Sequence, residues 1–221
     1  MIKRTALITG STGEIGKSIV SSLKEDVNVI APTRKELELS SNSSIENYVS
    51  SLDIPIDIII NCAGIHKAGN CENLTAYDFQ NILQINLIAP FQIISGLVKG
   101  MKERKYGRIL NISSIWSIVS KEKRSIYSAS KSGLDGLTRT LALELASHNI
   151  LVNSIAPGYV DTKMIRLYNS EKELEIIKEI IPLGRFAKPN EIGELAKFMC
   201  SEKNSYITGQ IIPIDGGYLT K

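Results

Sequence analysis

The sequence predicts an α/β domain: one doubly wound parallel sheet with helices on both faces. Three observations carry that expectation. Short runs rich in Ile, Val and Leu, with little polar alternation, recur along the chain, as strands covered on both faces require. Segments of helical periodicity separate them, and such alternation builds a parallel sheet. The first apolar run, AlaLeuIle at 6–8, leads into the glycine-rich turn TGSTGEIG at 9–16 and then into a helical segment.

The strands are expected at 4–9, 27–31, 57–61, 107–112, 150–155 and 211–214. The helices are expected at about 14–25, 43–52, 75–104, 126–147, 171–181 and 189–200. Ser43 or Ser44 and Thr75 have the residue types that cap helix N-termini, and Pro189 suits a first helical turn. The stretch LQINLIAPFQIISGLV is broken by Asn86, Pro90 and Gln92 and reads as a buried helix rather than a membrane span. No repeat or linker divides the chain, so residues 1–221 are expected to form a single domain.

Composition narrows the function classes. Twenty-six basic residues against 23 acidic ones leave a net charge of +3, with no basic block, which argues against a nucleic-acid partner. Three cysteines, Cys62, Cys71 and Cys200, make no C-x-x-C pair. They fit a reduced cytoplasmic protein with no disulfide framework and no metal site. Before Thr9 only three consecutive apolar residues follow the N-terminal basic pair, too few for a signal-peptide core.

A strand, a glycine-rich turn and a helix N-terminus together form an anion site. Unpaired backbone N–H groups and the positive helix end face a pyrophosphate, and glycine allows close approach. Gly10, Ser11, Thr12, Gly13, Glu14, Ile15 and Gly16 are therefore expected against a dinucleotide. Downstream, Tyr127 and Lys131 lie four apart on a predicted helix, hence on one face. A cation near a phenol favours phenolate and makes tyrosine a usable acid–base group. Ser114, at the end of a predicted strand, can hydrogen-bond the same substrate oxygen.

Tyr127-x-x-x-Lys131, with Ser114 thirteen residues before the tyrosine, resembles the short-chain dehydrogenase/reductase family. AsnCysAlaGly at 61–64 resembles the family's N-N-A-G motif, with Cys62 for the second Asn. Asn86 in QINLIAPF matches its helix-borne asparagine, and ProGlyTyrValAspThr at 157–162 resembles its P-G-x-x-x-T motif. PLGRFAKPNEIGELAKF and YITGQIIPIDGG resemble its C-terminal region, so the likeness covers nearly the whole chain. The resemblance implies a Rossmann-like fold and the catalytic set Ser114, Tyr127, Lys131 and Asn86. Tyr127 would be the general acid in reduction, Lys131 would lower its pKa and hold the nicotinamide ribose, Ser114 would orient the carbonyl, and Asn86 would complete a proton relay. Asn61, Ala63, Gly64, Pro157, Gly158, Val160 and Thr162, with Tyr127 and Lys131, would line the cofactor. The long helices 75–104 and 126–147 would pair copies into a dimer or, as expected here, a homotetramer.

Two departures bear on substrate. The family's single-domain branch has T-G-x-x-x-G-x-G, with glycine where this chain has Glu14. TGSTGEIG matches T-G-x-x-G-x-x-G, the spacing of an extended branch with many nucleotide-sugar enzymes. Glu14 suits a helix N-terminus but must point away from the phosphates. The segment APTRKELELSSNSSIENYV is short where many relatives carry a full helix and another strand, and its T-R-x-E-L-x-L is reminiscent of extended-branch sugar reductases. At the end of the second strand, Thr33 and Arg34 stand where NAD enzymes place a carboxylate. Arginine there suits a 2′-phosphate, so NADP(H) and carbonyl reduction are expected. The substrate is then a small carbonyl compound, free or carrier-linked. A 3-oxoacyl thioester is the leading expectation, a keto-sugar or nucleotide-sugar the alternative, and a non-catalytic NADP-binding regulator a third.

By the same resemblance, residues 163–183 would close over substrate. Trp116, Tyr159, Met164 and Ile165 are candidate pocket walls, His66 and Lys67 candidate entrance residues, and Cys62 a packing residue. Lys99, Lys102, Arg104, Lys105 and Arg108 read as a solvated helix end, or as a docking patch for an acidic carrier.

Overall fold

The computed structural model describes residues 3–167 and 169–220, the side chain of Met164 excepted. It is built on one six-stranded, all-parallel sheet: β1 (Thr5–Thr9), β2 (Asn28–Ile30), β3 (Ile58–Asn61), β4 (Gly107–Ile112), β5 (Ile150–Pro157) and β6 (Ile211–Ile214), in the order β2-β1-β3-β4-β5-β6. The six expected strands are all present. β1, β3, β4 and β5 are buried along their whole length, which explains their unbroken apolar runs.

Helices cover both faces. α1 (Glu14–Leu23) and α8 (Pro189–Cys200) pack with Ala6, Ile8, Ile58, Ile60 and Leu110 on one side. α2 (Asn42–Ser50), α4 (Ala89–Arg104) and α5 (Ser125–Leu145) pack with Leu7, Ile59, Ile109 and Val152 on the other. Neighbouring residues of each strand serve opposite layers, the period-two consequence of the pleat. α3 (Ala76–Leu83) precedes α4, and α6 (Lys163–Leu167) and α7 (Glu171–Glu179) lie between β5 and α8.

Three differences from the expected elements have physical causes. The cap of α2 is Ser41, not Ser43 or Ser44; its hydroxyl accepts from the Ser44 N–H at 3.2 Å. The predicted helix 75–104 is not uniform, because residues 84–88 form a π-turn in which the Ala89 N–H bonds to Gln84 O, five residues back. Pro90 has no N–H to offer the Asn86 carbonyl four residues earlier, so the helix widens there. By length and composition Ala76–Arg104 is the one helix among the described residues that could cross a membrane. Here its Ala89, Ile93, Ile94 and Met101 pack on the sheet. Finally, α6 is a short helix that the sequence pattern does not announce.

Candidate active site

β1 lies between β2 and β3, so the chain turns in opposite directions from their C-terminal ends and opens a crevice there. Thr9 Oγ1 accepts from the N–H groups of Cys62 (3.2 Å) and Ala63 (3.3 Å), joining the two strand ends. Gly10 has φ +69°, and a Cβ on it would lie 2.6 Å from Ala63 Cα. A Cβ on Gly16 would overlap the Gly10 carbonyl oxygen. Gly13 caps α1 without a side chain, so the first N–H groups of that helix face the turn. These residues fit a pyrophosphate. The Glu14 carboxylate does not lie over the turn; its Oε2 accepts from the Lys163 N–H at 2.6 Å, tying the start of α6 to the start of α1.

Ser114, Tyr127, Lys131 and Asn86 gather at the C-terminal end of β4. Ser114 follows the strand and hydrogen-bonds the Tyr127 phenol. Burial pushes that phenol above its ordinary range, while the Ser114 bond and the charge of Arg124 pull it down. Lys131 Nζ donates to Ile112 O at 2.7 Å and stands 5.8 Å from the Tyr127 ring centre. Burial holds the Lys131 ammonium down at about 8. The cation that bears on the phenol is therefore Arg124, which the sequence reading did not single out.

Asn86 is fully buried inside the π-turn. Its Oδ1 accepts from the Ile65 N–H, and its Nδ2 donates to Ile65 O and to Ser130 Oγ. It thereby fixes the loop after β3, where Gly64 leaves space beside Asn86 and Lys131. Asn61 turns inward: its Nδ2 donates to Asn111 Oδ1, Asn111 Nδ2 donates to Thr138 Oγ1, and Thr138 and Ser154 hydroxyls are 2.9 Å apart. This buried polar chain links β3, β4, α5 and β5 beneath the site, and Asn111, Thr138 and Ser154 were not anticipated. Only the main chain of Asn61 remains toward the crevice.

Gly158 packs against Asp215, where a Cβ would meet the Asp215 Cα at 2.8 Å, and Val160 pairs with Ala187. Trp116, Tyr159 and Tyr218 meet edge to face at 5.7–6.0 Å. Tyr159, Ile165 and Tyr218 also pack on Leu174, Ile177, Ile181 and Phe186 of the segment after β5, so that segment has its own small core. Trp116, Tyr159 and Ile165 were anticipated, Tyr218 was not, and the Met164 side chain lies outside the described residues. Lys67 is exposed and paired with Asp78. Cys62 packs beside the α1 layer, with its thiol pushed up to about 12 by burial.

Thr33 and Arg34 follow β2. Ser11 Oγ reaches Ala31 O at 3.4 Å, placing the glycine turn beside that strand end. Arg34 bonds Glu38 through Nε and its side chain is 80% exposed. Two members of the basic cluster are committed within the fold. Arg108 is buried and spent on backbone carbonyls, and Arg104 binds Asp57 and Ile56 O. Both stand at the opposite end of the sheet from Ser114.

A family model described as enoyl-(acyl carrier protein) reductase matches residues 8–219. The chain is 37% identical over 216 residues to 3-oxoacyl-(acyl-carrier-protein) reductase from Aquifex aeolicus, covering 96% of this chain and 86% of that one. It is 35% identical to the enzyme of the same name from Rickettsia typhi, over 98% and 97%. A crystal structure assigned as an NAD(P)-dependent gluconate 5-dehydrogenase from Beutenbergia cavernae, with NADP at low occupancy, superposes with a TM-score of 0.94 at 29% identity, over 100% of this chain and 98% of that one. The chain belongs to the short-chain dehydrogenase/reductase family, oxidoreductases that act between CH–OH and C=O groups with a nicotinamide cofactor.

Proposed function

We propose that this chain is an NADPH-dependent ketoreductase that reduces a 3-oxoacyl thioester. The observation that carries the carbonyl chemistry is the Ser114–Tyr127 hydrogen bond above Lys131 at the end of β4. Two hydroxyl donors at one point suit an oxygen that gains negative charge. Tyr127 gives that oxygen its proton, and Ser114 orients it. Lys131 would hold the ribose, and Arg124 supplies positive charge beside the phenol. Asn86 holds the Ile65 loop and continues the proton path. NADPH, when bound, supplies the hydride. Gly10–Gly16 would hold its pyrophosphate, and Pro157, Gly158, Val160 and Thr162 would flank its nicotinamide. Thr33 and Arg34 would meet the 2′-phosphate; only Arg34 Nε is engaged, leaving the fork of its terminal nitrogens for the phosphate.

The thioester itself is supported by the relatives from Aquifex and Rickettsia. The glycine spacing and the Beutenbergia neighbour favour a keto-sugar as the second reading. Copies of the chain would pair through the exposed apolar residues of α4 and α5, among them Phe91 and Leu143, the latter 84% exposed. Sedimentation giving a homotetramer supports that pairing, and a stable monomer removes it.

The test of function is NADPH oxidation with an acetoacetyl thioester and a keto-sugar nucleotide offered separately. Tyr127→Phe should abolish turnover. Turnover of the sugar alone would replace the thioester reading, and turnover that survives Tyr127→Phe would remove the assignment of the proton donor.

A further inference from the structure

Arg124 is a charged group of the site with no assigned ligand. It caps α5, three residues before Tyr127, and is half-buried. Its Nη1 donates to Nε2 of His66. A guanidinium only donates, so Nε2 accepts and the imidazole proton sits on Nδ1. The His66 ring meets the Tyr127 ring edge-on, with centroids 5.1 Å apart. Thus Arg124, His66 and Tyr127 form one contact chain at the crevice.

Among the described residues no group of opposite charge is paired with Arg124. His66 is held neutral, its pKa pushed down to about 4 by burial and by Arg124 itself. Among the described residues no carboxylate pairs with Arg124, whereas Arg4, Arg34, Arg104, Arg166 and Arg185 each have one. Desolvation lowers the Arg124 pKa, and the charges it senses are the Tyr159 and Tyr127 phenols. A partly buried charge needs an oxygen partner. The N-terminal end of the 21-residue α5 adds positive potential at the same place.

We propose that Arg124, braced by His66, binds a second oxygen of the substrate, carried beside the reacting carbonyl. This rests on the reading of Tyr127 as the donor to that carbonyl. Two donors one helical turn apart suit a 1,3-dicarbonyl compound, whose second oxygen is either the carboxylate of a 3-keto acid or the thioester carbonyl of a 3-oxoacyl group. A ketone without that oxygen leaves the guanidinium dehydrated and unpaired, so the site discriminates against it.

The test compares kcat/KM of wild type, Arg124→Ala and Arg124→Lys on three probes. These are the acetoacetyl thioester of N-acetylcysteamine, acetoacetate and 2-pentanone. Relative to 2-pentanone, Arg124→Ala should lose about 10- to 100-fold on the dicarbonyl probes, chiefly through KM, and Arg124→Lys should recover part of it. The probe with the larger loss identifies the oxygen. An equal loss on all three would mean that Arg124 acts only through the Tyr127 proton, and would overturn the proposal. Calorimetric titration of 3-hydroxybutyrate into the NADP-loaded protein needs no turnover. Binding at least tenfold weaker in Arg124→Ala is expected. Equal binding, or none to wild type, overturns the proposal whatever the rates. If wild type reduces none of the probes while this binding still depends on Arg124, the ketoreductase reading falls and the oxygen site stands.

Discussion

Replacing Lys131 by methionine should stabilise the cofactor-free protein at neutral pH while ending turnover. The ammonium is 4% exposed and held at about 8 against an ordinary 10.5. Keeping it charged at pH 7 costs the folded state about 3 kcal/mol. Methionine removes that cost but leaves Ile112 O without its donor, a loss of about 1–2 kcal/mol. The net gain is about 1–2 kcal/mol, and for a chain of this size each kcal/mol raises Tm by about 2–4 °C. The pH dependence follows from the direction of the shift. The folded-state pKa lies below the unfolded one, so the unfolded chain binds the extra proton between about 8 and 10.5. Wild-type stability therefore rises as pH climbs through that window, and the advantage of the variant shrinks toward pH 10. Urea denaturation of both proteins at pH 7 and pH 10 measures it. A variant less stable at pH 7, or a gap that stays constant to pH 10, would refute the account of Lys131 as a desolvated cation.

Glu14→Ala should loosen α6 from α1 by removing the acceptor of the Lys163 N–H, raising KM severalfold while Glu14→Gln, which keeps an oxygen there, stays near wild type; steady-state kinetics distinguishes them. Arg34→Asp should move cofactor preference from NADPH toward NADH by tenfold or more, read as the ratio of kcat/KM values; wild-type indifference to the 2′-phosphate would contradict the role of Arg34. Gly16→Ala should abolish NADPH binding and destabilise the apo-protein by about 1–3 kcal/mol, because the new Cβ meets Gly10 O and Ser11 Cα, both backbone; fluorescence titration and thermal melting report the two effects.

Much of this architecture is legible in the chain because its rules are local. A strand covered on both faces must be apolar along its length, so β1, β3, β4 and β5 stand out as runs of Ile, Leu and Val. A capped helix carries its cap at a set offset, as Thr75 and Asp78 do for α3. Tyr127 and Lys131 share a face because the helical period is 3.6 residues. The sites of error are also local, but there two signals compete. Four serines, Ser40, Ser41, Ser43 and Ser44, stand near the start of α2, and the chain path after Glu38 selects Ser41 as its cap. Asn86 and Pro90 both break the apolar run around the start of α4, yet tertiary packing keeps the helix continuous and converts the break into a π-turn around Asn86.

The features that spacing does not announce are those assembled across the sheet. Asn61, Asn111, Thr138 and Ser154 look like four unrelated polar residues in four elements. They become one hydrogen-bonded floor only because β3, β4 and β5 are neighbours. Glu14 and Lys163 are 149 residues apart, and His66 and Arg124 are 58 apart. A motif anchored on Tyr127 records which residues the chemistry shares among relatives. It is silent about Arg124, which lies outside the repeated Ser–Tyr–Lys spacing. Sheet order brings the loops after β3 and β4 together, and that juxtaposition places the Arg124 guanidinium, which has no carboxylate partner among the described residues, beside the Tyr127 phenol. The search for substrate therefore begins with the oxygen that Arg124 lacks.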